Sequence, residues 1–333
     1  MVRTEIIATG HYVPERRLLN DDLKQWWDTS DEWITERTGI KQRFWVEGGQ
    51  QAGSDLALEA SRNALEAADM KASDIDCIVY ATVSPDYFFP GGGVFLQRKL
   101  GIAGVPAMDV RTQCTGFLYG LSVADAWIRV GQYKRILLIG AEVHSTGMDF
   151  EHPVGRDLGV LFGDGAGAVI LGPTEEAGHG ILSTHLYADG RGAEALWCES
   201  DASARWPRIS HEDLDAGRQY PYMNGREVFK NAVKRMPETV QAALAAHGLG
   251  IDQIDLLIAH QANLRINEMV QKQLGLRDDQ VYNNIDRFGN TTAATLPIAL
   301  DECMRSGRLE RGDLLVLTAF GSGFTWGSAA IRW

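Results

Sequence analysis

The chain has 333 residues, enough for two units of ordinary size or one large α/β body, and its 45% hydrophobic and 23% charged residues suit a globular protein with a substantial core. A net charge of −12 disfavours generic nucleic-acid binding, which depends on a clustered basic surface. No apolar run approaches the roughly 18 residues of a membrane helix, the start Met1-Val-Arg-Thr-Glu-Ile-Ile lacks a secretory signal, and Cys77, Cys114, Cys198 and Cys303 stand singly, as reduced cytoplasmic thiols rather than metal ligands.

Residues 55–70 read as an alanine-rich helix, followed by the short apolar strand Asp74-Ile-Asp-Cys-Ile-Val-Tyr-Ala. The aromatic loop Tyr87-Phe-Phe-Pro-Gly-Gly-Gly precedes a further helix. Its glycines Gly91, Gly92 and Gly93, lacking side chains, are expected to leave room for a long or broad apolar group. A strand over 105–110 leads into Arg111-Thr-Gln-Cys-Thr-Gly-Phe, where Cys114 opens an apolar helix that stops at Gly131, and Arg135-Ile-Leu-Leu-Ile-Gly-Ala is the next strand. Gly163-Asp-Gly-Ala-Gly-Ala looks superficially like a dinucleotide loop, but it continues into a β-branched run. A phosphate there meets no helix terminus, so the segment reads as a glycine turn between core strands, with Asp164 structural. Residues 186–223 lack clear periodicity and read as an insertion or loop.

The early pattern then returns. Residues 237–248 read as a helix, Gln253-Ile-Asp-Leu-Leu-Ile-Ala-His as a strand, 290–307 as an apolar helix and Asp313-Leu-Leu-Val-Leu-Thr-Ala as a strand. Gly131 lies 17 positions after Cys114, and Gly307 lies 17 after Asn290. Strands alternating with helices argue for mostly parallel, layered α/β packing, and the repeat argues for two pseudo-equivalent halves, 1–172 and 173–333.

Three residues stand at the chemically useful points of this pattern. Cys114 sits at a helix start, where free N–H groups and the dipole favour the nucleophilic thiolate. His260 ends a core strand, where α/β sheets place their ligands. Asn290 follows Gly289, which allows a tight turn. Alone, the first suits a buried structural thiol, the second a core histidine, the third a helix cap. The repeat joins them: with Cys114 and Asn290 opening equivalent helices and His260 ending a strand whose counterpart ends at Ala81, the three converge if the halves pack about a pseudo-two-fold.

Over essentially its whole length the chain resembles the β-ketoacyl-acyl carrier protein synthases III of the thiolase superfamily. The resemblance rests on Asp28-Thr-Ser-Asp-Glu-Trp-Ile-Thr-Glu-Arg-Thr-Gly-Ile, the cysteine turn, Phe162-Gly-Asp-Gly-Ala-Gly-Ala, Asn224-Gly-Arg-Glu-Val-Phe-Lys, the His260 and Asn290 motifs, and Phe320-Gly-Ser-Gly-Phe-Thr-Trp-Gly. It implies a duplicated thiolase-like fold, five-layered α-β-α-β-α, with the cysteine in the first half and the histidine and asparagine in the second. It implies that Cys114 takes a primer acyl group from acyl-CoA, with the backbone N–H groups of Cys114 and Ser322 holding the oxyanion. Ser322 stands where glycine is common, at little expected consequence because the donor is the backbone. His260 and Asn290 would then hydrogen-bond the thioester oxygen of malonyl-acyl carrier protein as carbon dioxide leaves, initiating fatty acid biosynthesis.

By the same resemblance Trp33 and Arg156 sandwich the adenine of coenzyme A, Arg37 lies near its phosphates, and Asn263, Gly225 and Phe229 line the pantetheine tunnel. Phe89 closes the acyl pocket of the partner in a cytoplasmic homodimer. No cofactor beyond the thioester substrates is expected. Residues 226–272 hold six positive and five negative charges, +1 in a chain of −12, and Lys230, Arg265 and Lys272 there are candidates for docking the acidic carrier protein. Relatives that prime quinolone or polyketide synthesis, or transfer acyl groups without condensation, share the cysteine turn, and decarboxylation of the malonyl thioester separates condensation from simple transfer.

Overall fold

The computed structural model describes residues 2–333 and contains two five-stranded sheets wired identically. In the first, β1 (Arg3–Tyr12), β2 (Cys77–Ala81), β3 (Ala107–Val110), β4 (Ile136–Glu142) and β5 (Gly165–Thr174) lie in the order β1-β5-β4-β2-β3. In the second, β6 (Gly180–Ala188), β7 (Leu256–Ala259), β8 (Val281–Tyr282), β9 (Leu314–Gly321) and β10 (Thr325–Arg332) lie in the order β6-β10-β9-β7-β8. The chain passes from one sheet to the other between Thr174 and Gly180.

Only half of the pairings are parallel, fewer than expected. In each sheet three strands at one edge run parallel, and the remaining two are antiparallel to their neighbours. The reason is local: β9 and β10 are joined by a short turn with no crossover helix, and such a connection can close only an antiparallel pair.

Two helices fill the space between the sheets. Phe117, Leu118 and Leu121 of α4 (Gly116–Arg129) and Leu296, Ala299 and Leu300 of α7 (Thr295–Arg305) share one core with Val79, Leu138, Ile258 and Leu317. The outer face of the first sheet is covered by α2 (Gly53–Ala67) and α3 (Gly92–Leu100), that of the second by α5 (Gly225–Ala245) and α6 (Leu264–Leu274). These five layers explain why the core strands read as unbroken apolar runs. Along β2, Cys77 and Val79 face the central helices while Ile78 and Tyr80 face the outer ones, so both faces of the pleat are buried.

The expected helix over 237–248 is only the end of α5. Asn224 caps that helix, accepting from the Glu227 N–H at 3.2 Å, and it runs 21 residues with Pro237 inside it. A proline normally marks a helix start or break; here burial of Met236, Pro237 and Val240 against the second sheet keeps the helix continuous. The segment expected to be irregular is more ordered than its sequence suggests. Leu196–Cys198 pairs with Pro221–Met223 as a small ribbon, and Arg205 and Arg218 both bind Asp213.

Candidate active site

After β3 the chain turns at Gln113, a non-glycine residue at φ 46°, and makes one 3-10 turn (Gln113–Thr115) before α4 begins. Cys114 sits in that turn, 8% exposed. The end of β9 presses on it: a Cβ at Gly321 would stand 2.8 Å from Cys114 Cβ and 3.3 Å from its Sγ, so only glycine fits. Thr115 Oγ1 meets Thr325 Oγ1 at 2.8 Å, tying the same turn to β10. Among the described residues no backbone carbonyl takes the N–H of Cys114 or of Ser322, which leaves both as donors.

The expected preference for thiolate does not hold at rest. Burial pushes the Cys114 thiol up to about 12, nearby Glu142 adds to the rise, and a hydrogen bond from the residue's own backbone opposes it. Desolvation of an anion outweighs a helix end here, so the resting nucleophile is a thiol.

His260 continues β7, its N–H bonded to Thr318 O at 2.8 Å, and is 2% exposed. Nδ1 lies 2.7 Å from Thr295 Oγ1, which is also 3.0 Å from Thr292 O. Thr295 has one proton to give. Directed at His260 Nδ1, it leaves the proton of the imidazole on Nε2 as a donor; directed at Thr292 O, it leaves Nε2 an acceptor. Nε2 is buried with no partner among the described residues. Burial lowers this histidine to about 3, so the ring is neutral.

Asn290 is locked through its backbone to the first half, with its N–H bonded to Leu161 O at 2.8 Å and its carbonyl accepting from Gly163 N at 3.0 Å. Gly289 is required at φ 67°, where a Cβ would stand 2.9 Å from Leu161 O. The side-chain Oδ1 accepts from Thr292 N at 2.9 Å, which orients the amide and leaves Nδ2 as its donor. Thr292 itself is left-handed, φ 49°, a conformation costing a β-branched residue roughly 1–3 kcal/mol and kept only where neighbours hold it. The structure thus strings Asn290, Thr292, Thr295 and His260 on one chain of hydrogen bonds. The turn Thr292–Ala294 rests against the Cys114 turn, with Ala293 packed close to Gly116.

This geometry corrects the register of the repeat. The two left-handed residues, Gln113 and Thr292, are counterparts, 179 positions apart, whereas Gly131 and Gly307 are 176 apart. The central helix has 14 residues in the first half and 11 in the second, about one turn fewer. Cys114 therefore corresponds to Ala293, and Asn290 lies three residues earlier, before the turn rather than at a helix start. Equal spacing to the stop glycines concealed the missing turn.

Two residues of the site went unnoticed in the sequence. Glu142, fully buried at the end of β4, accepts from Thr82 Oγ1 at 3.0 Å, Ser84 Oγ at 2.6 Å, Val83 N and Ser84 N at 3.1 Å, and Ala293 N at 3.4 Å. Burial pushes its carboxyl up to about 7 against these hydrogen bonds. His144, two residues on, places Nε2 2.6 Å from Thr292 Oγ1. The available signal was an acidic residue closing an otherwise wholly apolar strand. Asp164 is structural as expected: its buried carboxylate accepts from Val46 N, His144 N and Ser145 N.

At the protein surface, the guanidiniums of Arg37 and Arg156 lie 4.5 and 4.6 Å from the ring centroid of Trp33, on α1 (Asp31–Thr38). A planar ring entering between Trp33 and Arg156 must lift the guanidinium away. Asn263 caps α6, accepting from Arg265 N at 3.0 Å, and donates to Arg37 O at 2.9 Å, so it fastens α6 to α1. Gly225 and Phe229 occupy the first turns of α5, with Phe229 packed on the outer core of the second sheet. Lys230, Arg265 and Lys272 are all exposed, and none is in an ion pair among the described residues, whereas Arg235 is bound to Glu238 at 3.0 Å.

Phe89 is 79% exposed, beside exposed Tyr87 and Phe88. The glycines after it do not leave room, contrary to expectation. A Cβ at Gly91 would stand 2.4 Å from the Asp109 carboxyl carbon, and one at Gly92 would stand 2.6 Å from the Tyr80 ring. Asp109 fills that space to cap α3, accepting from Gly92 N at 2.6 Å and Gly93 N at 2.9 Å.

The chain is similar to known proteins over both of its halves. The family model of the 3-oxoacyl-(acyl-carrier-protein) synthase III carboxy-terminal part matches residues 244–333, and that of 3-oxoacyl-(acyl-carrier-protein) synthase III matches residues 108–190. The chain is 46% identical to the β-ketoacyl-(acyl-carrier-protein) synthase III of Caldanaerobacter subterraneus subsp. tengcongensis, covering 98% of this chain and 97% of that protein. It is 48% identical to the protein of the same name from Xanthomonas euvesicatoria pv. vesicatoria, covering 100% and 99%. The crystal structure of 3-oxoacyl-(acyl-carrier-protein) synthase III from Aquifex aeolicus superposes with a TM-score of 0.90 at 39% identity, covering 99% of this chain and all of that one. With the duplicated five-layer fold and these full-length relatives together, the chain belongs to the 3-oxoacyl-(acyl-carrier-protein) synthase III family of the thiolase superfamily.

Proposed function

We propose that this enzyme moves a primer acyl group from coenzyme A to Cys114 and joins it to a malonyl unit on acyl carrier protein, the opening condensation of fatty acid synthesis. In the first half-reaction Cys114 Sγ bonds the acyl carbon, the carbon–sulfur bond to coenzyme A breaks, and the thiol proton leaves with the coenzyme A thiol. The N–H groups of Cys114 and Ser322 hold the oxygen that becomes negative. In the second, the malonyl carbon–carbon bond breaks and carbon dioxide departs. Its electron pair collects on an enolate whose oxygen accepts from Asn290 Nδ2 and from His260 Nε2, with the Thr295 proton directed at Nδ1. The carbanion then bonds the acyl carbon of the Cys114 thioester, the carbon–sulfur bond breaks, and the departing sulfur takes a proton from solvent.

The observation that carries this reading is the single turn, Asn290 to Thr295, that suspends both donors against the turn holding the thiol. Trp33, Arg37 and Arg156 receive the nucleotide end of coenzyme A, since guanidinium planes stack on aromatics and bind phosphate. Gly225, Phe229 and Asn263 lie along its pantetheine, and exposed Lys230, Arg265 and Lys272 meet the carrier protein. The exposed aromatics at 87–89 support a homodimer in which Phe89 reaches the partner's acyl pocket. Among the described residues no helix is long and apolar enough to cross a membrane.

Mass spectrometry of Cys114 after exposure to acyl-CoA, beside a condensation assay, tests the division of labour. Cys114→Ala should lose both steps. His260→Ala and Asn290→Ala should still become acylated but lose condensation by roughly 100- to 1,000-fold each. Equal loss of acylation in all three variants would sink the assignment.

A further inference from the structure

Of the two left-handed turn residues, only one is held by its side chain. Gln113 makes no side-chain hydrogen bond among the described residues, whereas the hydroxyl of Thr292 meets the ring of His144 at 2.6 Å. That contact joins the halves across 148 positions of sequence. His144 is itself well anchored. Its backbone N–H is bonded to Asp164 Oδ1 at 2.7 Å, and its ring lies 4.5 Å from that of Phe162, the residue that bridges to Asn290. Burial lowers the histidine to about 4, so it holds Thr292 as a neutral partner and brings no charge to the site.

Thr292 is where the two thioester-binding groups meet. Its N–H orients the Asn290 amide, and its carbonyl is the alternative acceptor for the Thr295 hydroxyl that faces His260 Nδ1. A rotation of Thr292 would therefore misdirect Asn290 Nδ2 and change the proton partner of His260 together. We propose that His144 is a positioning residue for the malonyl half-reaction, holding Thr292 in its left-handed conformation so that Asn290 and His260 point at one oxygen. The proposal rests on the reading above, in which those two residues serve the malonyl step.

The test is a double-mutant cycle of His144→Leu and Thr292→Val in the full enzyme, reading Cys114 self-acylation and condensation separately. Each single variant should lower kcat for condensation about 10-fold, the worth of one well-placed hydrogen bond. KM for the malonyl thioester and the extent of self-acylation should stay within about twofold. Because both act through one bond, the double variant should be no worse than either single one. Thr292→Ser, which restores the hydroxyl, should recover most of the loss. Should His144→Leu fail to fold, Thr292→Val against Thr292→Ser gives the same comparison. Additive losses, unchanged condensation, or a parallel fall in self-acylation would overturn the role of His144. Asn290→Ala, measured alongside, separates the two ideas: if it keeps acylation and loses condensation while His144→Leu matches the wild type, only the positioning role fails. If Asn290→Ala loses acylation as well, the assignment of the malonyl step fails and this role falls with it.

Discussion

A buried neutral histidine leaves a mark on stability as well as on chemistry. His260 is driven from 6.5 to about 3 by burial alone. Its folded value is depressed, so the unfolded chain binds the extra proton: the contribution is complete above pH 6.5 and is lost progressively as pH falls toward 3. Between pH 7 and pH 5 this amounts to about 2 kcal/mol. Urea unfolding of the wild type and of His260→Gln at those two pH values should show the wild type losing about 2 kcal/mol more. Parallel losses would mean that the ring gains a proton while folded. The same burial keeps His260 neutral throughout the range in which condensation is measured, so an acidic limb in that reaction belongs to another group. Glu142, raised to about 7, is the titratable group of the site that lies in range.

Among the elements, those ending in a chemically distinctive residue at a strand or helix boundary were legible in the sequence. Cys114 in the turn before α4 and His260 directly after β7 lie at such boundaries, whereas Asn290 lies just ahead of its turn and not at the helix start its sequence suggests. What could not be read locally depended on packing. Pro237 looked like a helix start because the burial that keeps α5 continuous is tertiary. Glu142 and His144 act on Ala293 and Thr292 from across the molecule, and no periodicity reports a contact between residues about 150 positions apart. The shortened α7 was hidden by the coincidence of stop glycines. The outer helices carry a prediction of their own. Arg265, in the first turn of α6, Lys272 near its end and Lys230 on α5, the residues proposed above to meet the carrier protein, are all exposed, and none is in an ion pair among the described residues. Arg265→Glu should raise the concentration of carrier protein needed for half-maximal condensation while changing turnover with the coenzyme A primer less. The difference should shrink with added salt, which screens exposed charges over about 8 Å at physiological strength. Unchanged carrier-protein kinetics would remove these residues from the mechanism.

At the scale of the whole molecule Tyr87, Phe88 and Phe89 are three consecutive aromatics that lie exposed. The space behind them is filled by Asp109 and Tyr80, so the loop has a firm base, and the proposed chain-length selection rests on Phe89 rather than on empty space beside it. Each methylene admitted to an apolar pocket is worth about 0.8 kcal/mol. Phe89→Ala should therefore shift primer preference toward longer chains while Cys114 stays reactive, measured by competing acyl-CoAs with sedimentation showing that the oligomeric state matches the wild type. A variant of unchanged oligomeric state that keeps the wild-type chain-length profile would show that Phe89 does not gate the pocket.

The one-turn difference between the central helices also bears on how such a chain can change over evolutionary time. Two copies of one design began with equivalent turns, and in one copy that turn now bears the thiol while in the other it bears alanine, with the asparagine just upstream. On the roles proposed above, a chain rebuilt from two first halves would own two nucleophiles and nothing to steady an enolate; one rebuilt from two second halves would own the donors and nothing to acylate. Neither copy can be replaced by its sibling. The duplication that made the scaffold symmetric has become, through a short slip in register, a partnership that recombination between the halves cannot undo without ending the chemistry.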